Sequence, residues 1–397
     1  MDDFPYPLPL LLDGGAASNL AAAGMPAGCC MEQWAAAHPD ALRAVQQSFL
    51  AAGSDAVLAP TFHANRASLQ PFGLAEKVEA LNCTLVALSR KNAGGKLVGA
   101  LVGPSGLLVP PHGKADFDDI YSLYREQVRA LEKAGADFLL AASQTSLADM
   151  RALVLAARTN DLPVLVTVTV DEEGRTPTGA AFLPVLLTLQ AMGADAVGLH
   201  FTCPPDRMIP LVREVLPHTE VPLLARPTNC ALEPTAWAQA MRRLMDAGVS
   251  AAGGCLQTTP AHIRALKGSL KNFVPHSLSK EPDSHAAAIE SDAFFLSDDL
   301  TCSRPLRCSA LLGDELIALD DEPASVTLVT VNDLADADLL AAAAHLTRQP
   351  IAVHADSKPV LDAALRYFQG RLLIDSSCEL EPAVLEPLAK KYGAILY

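Results

Sequence analysis

The chain has 397 residues and a mass of 41.8 kDa, and half of its residues are apolar. This length suits two domains, or one large α/β barrel with an appendage, and the apolar fraction excludes global disorder. Thirty basic against 45 acidic residues give a formal net charge of −15. That balance argues against a nucleic-acid-binding protein and against docking on anionic membranes.

The chain shows no sign of export or of a membrane span. Its start, Met1-Asp2-Asp3, lacks the basic-then-apolar order of a secretory signal. The uncharged run 179–194 is too short to span a bilayer and contains Pro184, so it predicts a buried helix. Nine cysteines without a signal are typical of reduced thiols rather than a disulfide framework. We therefore expect a cytoplasmic protein.

One short pattern recurs along the first 270 residues. An apolar helical stretch ends at a glycine (Gly53, Gly135, Gly193 and Gly248), and a compact apolar run follows within three residues. Glycine suits the left-handed conformation that ends a helix. A short run that is apolar on both faces is typical of a buried strand in a parallel sheet. The pattern thus predicts repeated helix-to-strand connections.

Taken in chain order, these signals predict eight strands alternating with helices. The strands are 8–12, 56–58, 97–101, 138–140, 164–170, 196–199, 222–225 and 251–252. The helices between them are 40–52, 75–90, 117–134, 147–158, 180–192, 207–216 and 235–247. Eight βα units in one domain predict a (β/α)8 TIM barrel over residues 1–270. An open doubly wound sheet is the alternative.

The composition of the sequence changes after the eighth βα unit. Residues 271–290 are polar and irregular, which predicts a linker. Residues 291–397 predict a smaller α/β module. Its strands are 326–331, 350–354, 371–374 and 394–396, and its helices are 333–347, 359–370 and 382–391. These are too few units for a second closed barrel. We expect either a small α/β module or the opening part of a barrel.

In a TIM barrel the active site lies at the C-terminal ends of the strands. The first predicted strand ends in Asp13-Gly14-Gly15, where two glycines let a ligand approach the backbone and free N–H groups suit a carboxylate. The second strand leads to Thr61. We therefore predict that Asp13, Gly14, Gly15 and Thr61 contact a substrate.

Three cysteines follow three neighbouring strands at this same end of the barrel: Cys203, Cys230 and Cys255. With His200 they offer the thiolate and imidazole ligands that Zn²⁺ prefers. The alternative is that cysteine, a small apolar residue, fills space near the barrel mouth. Zinc is therefore a candidate cofactor.

The segments at the strand ends resemble the homocysteine S-methyltransferase family, which includes the homocysteine-binding barrel of cobalamin-dependent methionine synthase. The likeness covers about residues 8–268. It rests on several motifs in the same order: Leu12-Asp13-Gly14-Gly15, Thr61-Phe62-His63-Ala64-Asn65-Arg66, Gly103-Pro104-Ser105-Gly106, Asp171-Glu172-Glu173-Gly174-Arg175-Thr176 and Gly253-Gly254-Cys255-Leu256-Gln257-Thr258-Thr259-Pro260. The second is similar to the family's TFGANR and the last to GGCCGTTP.

The resemblance implies a (β/α)8 barrel that binds zinc through three cysteines. The metal would hold a small thiol or amino acid, homocysteine in the family, as a thiolate. Coordination deprotonates a thiol while leaving it nucleophilic. The thiolate would then take a methyl group from a corrinoid, a methyl-folate or an onium donor. A corrinoid donor would arrive on a separate protein.

The sequence departs from the family pattern at four positions. Only Cys255 matches a family zinc ligand, because Phe201 and Leu256 stand where the family has its other two cysteines. Leu58 and Ala142 stand where the family has acids. Two interpretations follow. Cys203, Cys230 and His200 rebuild a zinc site with Cys255, or the barrel is inactive and serves as a binding or assembly module for a corrinoid or folate methyl-transfer partner.

The C-terminal segments 354–359 and 369–376 resemble part of the pteridine-binding barrel of methionine synthase. Asp356 matches an aspartate of that family, and Asp375 stands where the family has a pterin-binding asparagine. The likeness covers about 50 residues, so a structural remnant is favoured over a complete folate pocket. A protein that binds pterin through these two aspartates is a further alternative.

Overall fold

The fold was analysed in a computed structural model of the chain. The structure describes residues 4–159, 162–228, 231–278, 285–297, 299–319 and 324–397. Within these ranges, no helix is both long enough and apolar enough to cross a bilayer.

The first 252 residues contribute an eight-stranded parallel sheet in the order β1-β8-β7-β6-β5-β4-β3-β2. Its strands are β1 Leu10–Leu11, β2 Ala56–Ala59, β3 Leu97–Val102, β4 Phe138–Gln144, β5 Val164–Thr169, β6 Ala196–His200, β7 Leu223–Ala225 and β8 Val249–Ala252. Hydrogen bonds also connect the first and last strands of this order, β1 and β2. Asp55 N donates to Leu11 O at 2.7 Å, and Leu58 N donates to Asp13 Oδ2 at 2.8 Å. The predicted TIM barrel is confirmed, and the open sheet is excluded.

Eleven α-helices accompany these strands in the described residues. They are α1 Ala16–Ala22, α2 Met31–Ala37, α3 Pro39–Ala52, α4 Arg66–Leu69, α5 Val78–Ala93, α6 Phe117–Lys133, α7 Leu147–Ala157, α8 Phe182–Ala191, α9 Ile209–Val215, α10 Pro234–Asp246 and α11 Pro260–Ser269. All seven predicted helices are present. Two of them, predicted from residues 75 and 207, begin with a turn of 3₁₀-helix (Ala75–Lys77 and Pro205–Met208). The short helices α1, α2, α4 and α11 were not predicted.

The repeated helix–glycine–strand pattern has a second structural role. All four glycines have positive φ, as their place at the ends of helices requires. Two residues after three of these glycines, an aspartate also hydrogen-bonds the neighbouring strand. Asp55 accepts from Leu11 N at 3.1 Å, Asp137 from Val98 N at 2.6 Å and Asp195 from Val164 N at 2.7 Å. Each carboxylate thus satisfies a buried strand N–H and fixes the register of two neighbouring strands.

Apolar side chains fill the barrel interior. They are Leu10, Leu12, Ala56, Leu58, Leu101, Phe138, Leu140, Ala142, Leu165, Ala196, Leu224 and Ala251. The alternate residues of the same strands, such as Leu139 and Ala141, face the helices and belong to the larger outer core. The interior layer ends just below the C-terminal ends of the strands, where polar residues take over.

The C-terminal region contains two smaller sheets. A parallel sheet has the sequential order β11-β12-β13-β15-β16, and an antiparallel sheet has the order β10-β9-β14. The strands are β9 Ala286–Ile289, β10 Ala293–Phe295, β11 Leu306–Arg307, β12 Thr327–Thr330, β13 Ile351–His354, β14 Gly370–Arg371, β15 Leu373–Ile374 and β16 Ile395–Leu396, with helices α12 Leu312–Leu319, α13 Leu334–Ala343, α14 Lys358–Tyr367 and α15 Pro382–Tyr392. Strand β9 lies inside the segment 271–290 that was expected to be a linker. The sequential strand order is the order found in a barrel.

A buried arginine joins this region to the barrel. Arg151 on α7 is 1% exposed and donates to Leu365 O at 2.7 Å and to Arg366 O at 3.0 Å, at the C-terminal end of α14. In the opposite direction Arg366 hydrogen-bonds Asp118 on α6. A cation at a helix C-terminus is favoured by the helix dipole. The two regions therefore pack as one body through α6, α7 and α14.

Candidate active site

The barrel mouth, defined here as the C-terminal ends of β1–β8 and the loops that follow them, gathers most of the residues singled out from the sequence. Inward-facing positions alternate along each strand. Two residues beyond Leu165, Leu224 and Ala251 of the inner layer, the strands present Thr167, Arg226 and Gly253. The floor of the mouth thus carries the polar side chains of Thr167 and Arg226, in contrast to the apolar interior beneath it.

Asp13 lies at this floor and is 3% exposed. Its Oδ2 accepts from Leu58 N at 2.8 Å, whereas its Oδ1 is buried without a hydrogen-bond partner among the described residues. Burial raises the pKa of this carboxyl to about 7, although Arg226 and the Leu58 N–H act in the opposite direction. Asp13 therefore changes its charge near neutral pH and has one free acceptor.

Arg226 follows β7 directly and is 3% exposed. Its Nη2 donates to Gly254 O at 2.8 Å, and its Nε is buried without an acceptor among the described residues. Arg226 was not among the residues predicted from the sequence. The available signal was a charged side chain immediately after an apolar strand of the predicted barrel, at the end where active sites lie.

His200, at the end of β6, is buried between two hydroxyl groups. Its Nδ1 lies 3.2 Å from Thr169 Oγ1 and its Nε2 lies 3.3 Å from Thr228 Oγ1. Burial, assisted by the charge of Arg226, lowers the pKa of His200 to about 4. The imidazole is therefore neutral at physiological pH, and both ring nitrogens already face hydroxyl partners.

Gly14 and Gly15 are needed for close packing of the chain against itself. A Cβ atom on Gly14 would lie 2.7 Å from Thr258 O, and one on Gly15 would lie 2.3 Å from Cys255 O. These two glycines thus allow the loop after β8 to pack closely against them. Thr61 is fully buried, and its hydroxyl donates to Leu101 O at 2.7 Å. Its side chain supports the strand ends.

The predicted zinc ligands do not form a metal centre in the part of the chain that the structure describes. There, no group of three or more His, Cys, Asp or Glu side chains is placed to hold a metal ion. Cys203 and Cys255 are half-buried and are not joined in a disulfide. Phe201 is buried, and Leu256 is 48% exposed. Cys230 lies outside the described residues. The described donor set does not fit tetrahedral zinc.

Strand β4 carries an irregularity that the sequence did not reveal. Its register shifts between Ala141 and Gln144, and Ser143 has a φ of 55°, which is unusual for a residue other than glycine. Ser143 N donates to Thr167 Oγ1 at 3.0 Å, and Gln144 Nε2 donates to Val102 O at 3.1 Å. Bulges of this kind are common beside active sites, where they redirect a side chain.

Fold and site together define a (β/α)8-barrel protein with a polar site at the C-terminal ends of its strands. The family model of homocysteine S-methyltransferase matches residues 10–270, about two-thirds of the chain. The chain therefore belongs to the homocysteine S-methyltransferase family, whose chemistry is methyl transfer.

Two curated relatives are methionine synthases. The chain is 27% identical to the Mycobacterium tuberculosis enzyme over 269 residues, which are 62% of this chain and 22% of the relative. It is 24% identical to the Mycobacterium leprae enzyme over 404 aligned positions, which cover 87% of this chain and 33% of the relative. The chain thus spans between a fifth and a third of the length of these curated relatives.

Solved structures of the Escherichia coli homocysteine methyltransferase MmuM are similar to the barrel. The oxidised form is 25% identical with a TM-score of 0.58, and the metallated form is 26% identical with a TM-score of 0.57. Each covers 65% of this chain and 95% of its own.

Proposed function

We propose that this protein transfers a methyl group to the sulfur of a small thiol, homocysteine or a close analogue, bound at the barrel mouth. Membership of the family supports the reaction class. Asp13 carries the proposal for this chain, because it combines burial, a free acceptor atom and a pKa near 7 at the end of the barrel where the site lies. Gly14, Gly15 and Thr61 hold the loops around it.

Asp13 accounts for activation of the thiol. A free thiol has a pKa of about 8.5 and is mostly protonated at neutral pH. A carboxylate whose pKa lies near the working pH is suited to act as general base. In the proposed step the thiol proton passes to Asp13 Oδ1 as the sulfur attacks the methyl carbon. A sulfur–carbon bond forms, and the donor leaves with the electron pair of its bond to the methyl group.

The step is assigned to Asp13 because, among the described residues, no group of His, Cys, Asp or Glu side chains around Cys255 is placed to hold a metal ion. The methyl donors proposed here are a methyl corrinoid and a methyl-folate. The likeness to methionine synthases supports these two classes.

The test is product formation with purified protein. L-homocysteine is incubated with methylcobalamin, 5-methyltetrahydrofolate or S-methylmethionine, and methionine is measured by mass spectrometry. We expect kcat/KM to rise with pH through about 7 as Asp13 loses its proton, and Asp13→Asn to reduce it by about 10²–10⁴-fold. Asn retains an oxygen for the Leu58 N–H, so the fold is preserved.

The matched control is Asp40→Asn, which makes the same change on the exposed surface of α3. It should leave the rate and the pH profile unchanged. Absence of methionine with every donor would contradict the proposed activity and favour a barrel that binds without catalysis. A rate that is independent of Asp13 would contradict the proposed role of this residue.

A further inference from the structure

Arg226 is a buried cation without an ion-pair partner in the part of the chain that the structure describes. Of its three nitrogens, only Nη2 has a hydrogen-bond acceptor there, Gly254 O, and the buried Nε has none. An arginine side chain stays protonated in proteins. A buried charge is costly unless it is paired and hydrogen-bonded. Among the described residues, this guanidinium therefore has no counter-ion.

The titratable groups around Arg226 do not supply this counter-ion. The charge of Arg226 acts on Asp13, but no ion pair joins this carboxylate to the guanidinium in the described residues. Because the pKa of Asp13 is raised to about 7, this carboxyl is only partly ionised at neutral pH. His200, which also feels the charge of Arg226, is neutral. The floor of the mouth is left with an excess of positive charge.

The surroundings hold the guanidinium at the strand ends. Leu224 faces the barrel interior, so Arg226, two residues later, faces the same side. A Cβ atom on Gly253 would lie 3.0 Å from Asp13 O and 3.5 Å from Arg226 Nε, so the backbone at Gly253 lies beside both residues. Pro227 O accepts from Cys255 N at 2.9 Å and ties the end of β7 to the loop after β8.

We propose that Arg226 is the residue that binds the carboxylate of the thiol substrate, so that the site selects thiols that carry a carboxylate at their other end. The planar guanidinium matches a carboxylate in shape as well as in charge. A bound carboxylate would supply the missing counter-ion and an acceptor for the unpartnered Nε. The thiol part of this assignment rests on the proposed function. The preference for an anion does not, because it follows from the buried charge of Arg226.

The test measures binding separately from catalysis. Isothermal titration compares 4-mercaptobutanoate, which has the homocysteine skeleton without its amine, with the neutral 4-mercaptobutanamide under reducing conditions. We expect the acid to bind about 10- to 100-fold more tightly than the amide, as hydrogen bonds to a charged group imply. Arg226→Gln should abolish this preference, so that acid and amide bind equally. Arg226→Lys should retain part of it, because lysine keeps the charge without the fork.

Arg264→Gln is the control, since it removes an exposed arginine from α11 of the same barrel. It should keep the full preference for the acid. Equal binding of acid and amide by the unchanged protein, or an undiminished preference in both Arg226 variants, would overturn the assignment. If Arg226→Gln does not fold, Arg226→Lys still provides the test. Acid-selective binding that requires Arg226, without methionine from any donor, would support this inference while contradicting the proposed methyl transfer.

Discussion

Replacing Arg151 by methionine should loosen the C-terminal region from the barrel. Arg151 is 1% exposed and donates to two carbonyls at the end of α14, Leu365 O at 2.7 Å and Arg366 O at 3.0 Å. Hydrogen bonds from a charged group contribute about 1.5–3 kcal/mol each, and a buried carbonyl left without a donor costs about 1–3 kcal/mol. Part of this loss is offset, because the substitution also removes a buried guanidinium whose Nε has no partner among the described residues. A net loss of about 2–4 kcal/mol follows.

Native-state hydrogen exchange measures this loss where it should occur. Amides of α14 and β9 should exchange about 30- to 900-fold faster in Arg151→Met, since 1.36 kcal/mol corresponds to a factor of ten. Methionine preserves most of the aliphatic volume, so the barrel strands should change little. Arg129→Met, an exposed change on α6, is the control. Exchange of α14 within threefold of the unchanged protein would refute the view that Arg151 joins the two regions.

The other predictions concern Glu290 and Ser143. Burial raises the pKa of Glu290 from 4.5 to about 7. Between these two pH values the folded protein holds a proton on Glu290 that the unfolded chain releases. The stabilising effect of this bound proton is complete below pH 4.5 and is lost as pH rises through 7. Glu290→Gln should therefore be more stable than the unchanged protein at pH 8, by about 3 kcal/mol, and equal to it below pH 4.5. An equal fall of Tm with pH in both would contradict this. Ser143 has a φ of 55°, so Ser143→Gly should relieve strain and raise stability by about 0.5–1 kcal/mol in urea unfolding, whereas Ser143→Val should lower it. A Val variant as stable as the Gly variant would show that the backbone at Ser143 is not strained.

The barrel could be predicted because each of its signals is local. Gly53 and its three counterparts mark the ends of helices, and the apolar runs after them have the composition of strands buried on both faces. Strand β9 could not be recognised, because Ala286–Ile289 is short and its pairing with β14 joins residues about 80 positions apart. A contact of that kind leaves no periodic trace in the sequence.

The site was predicted less well, since its chemistry depends on what surrounds each side chain. The motif around Asp13 pointed to the correct end of the barrel, but only the structure shows that one carboxylate oxygen is unpartnered. Thr61 matched a motif, yet its hydroxyl is used within the fold. Arg226 belongs to no motif, and its interest arises from its burial without an ion pair among the described residues. Spacing placed Cys203 and Cys255 at one end of the barrel without indicating where their sulfur atoms lie.

The most direct test of the account is to locate the bound thiol by hydrogen–deuterium exchange with and without saturating L-homocysteine. The account predicts slower exchange at the barrel mouth, in peptides that contain Asp13 to Gly15, Arg226 to Thr228 and Gly253 to Cys255, and no change in β13 or β15 of the C-terminal region. Protection confined to the C-terminal region, or none at the mouth at saturating thiol, would contradict the central claim that thiol chemistry belongs to the barrel.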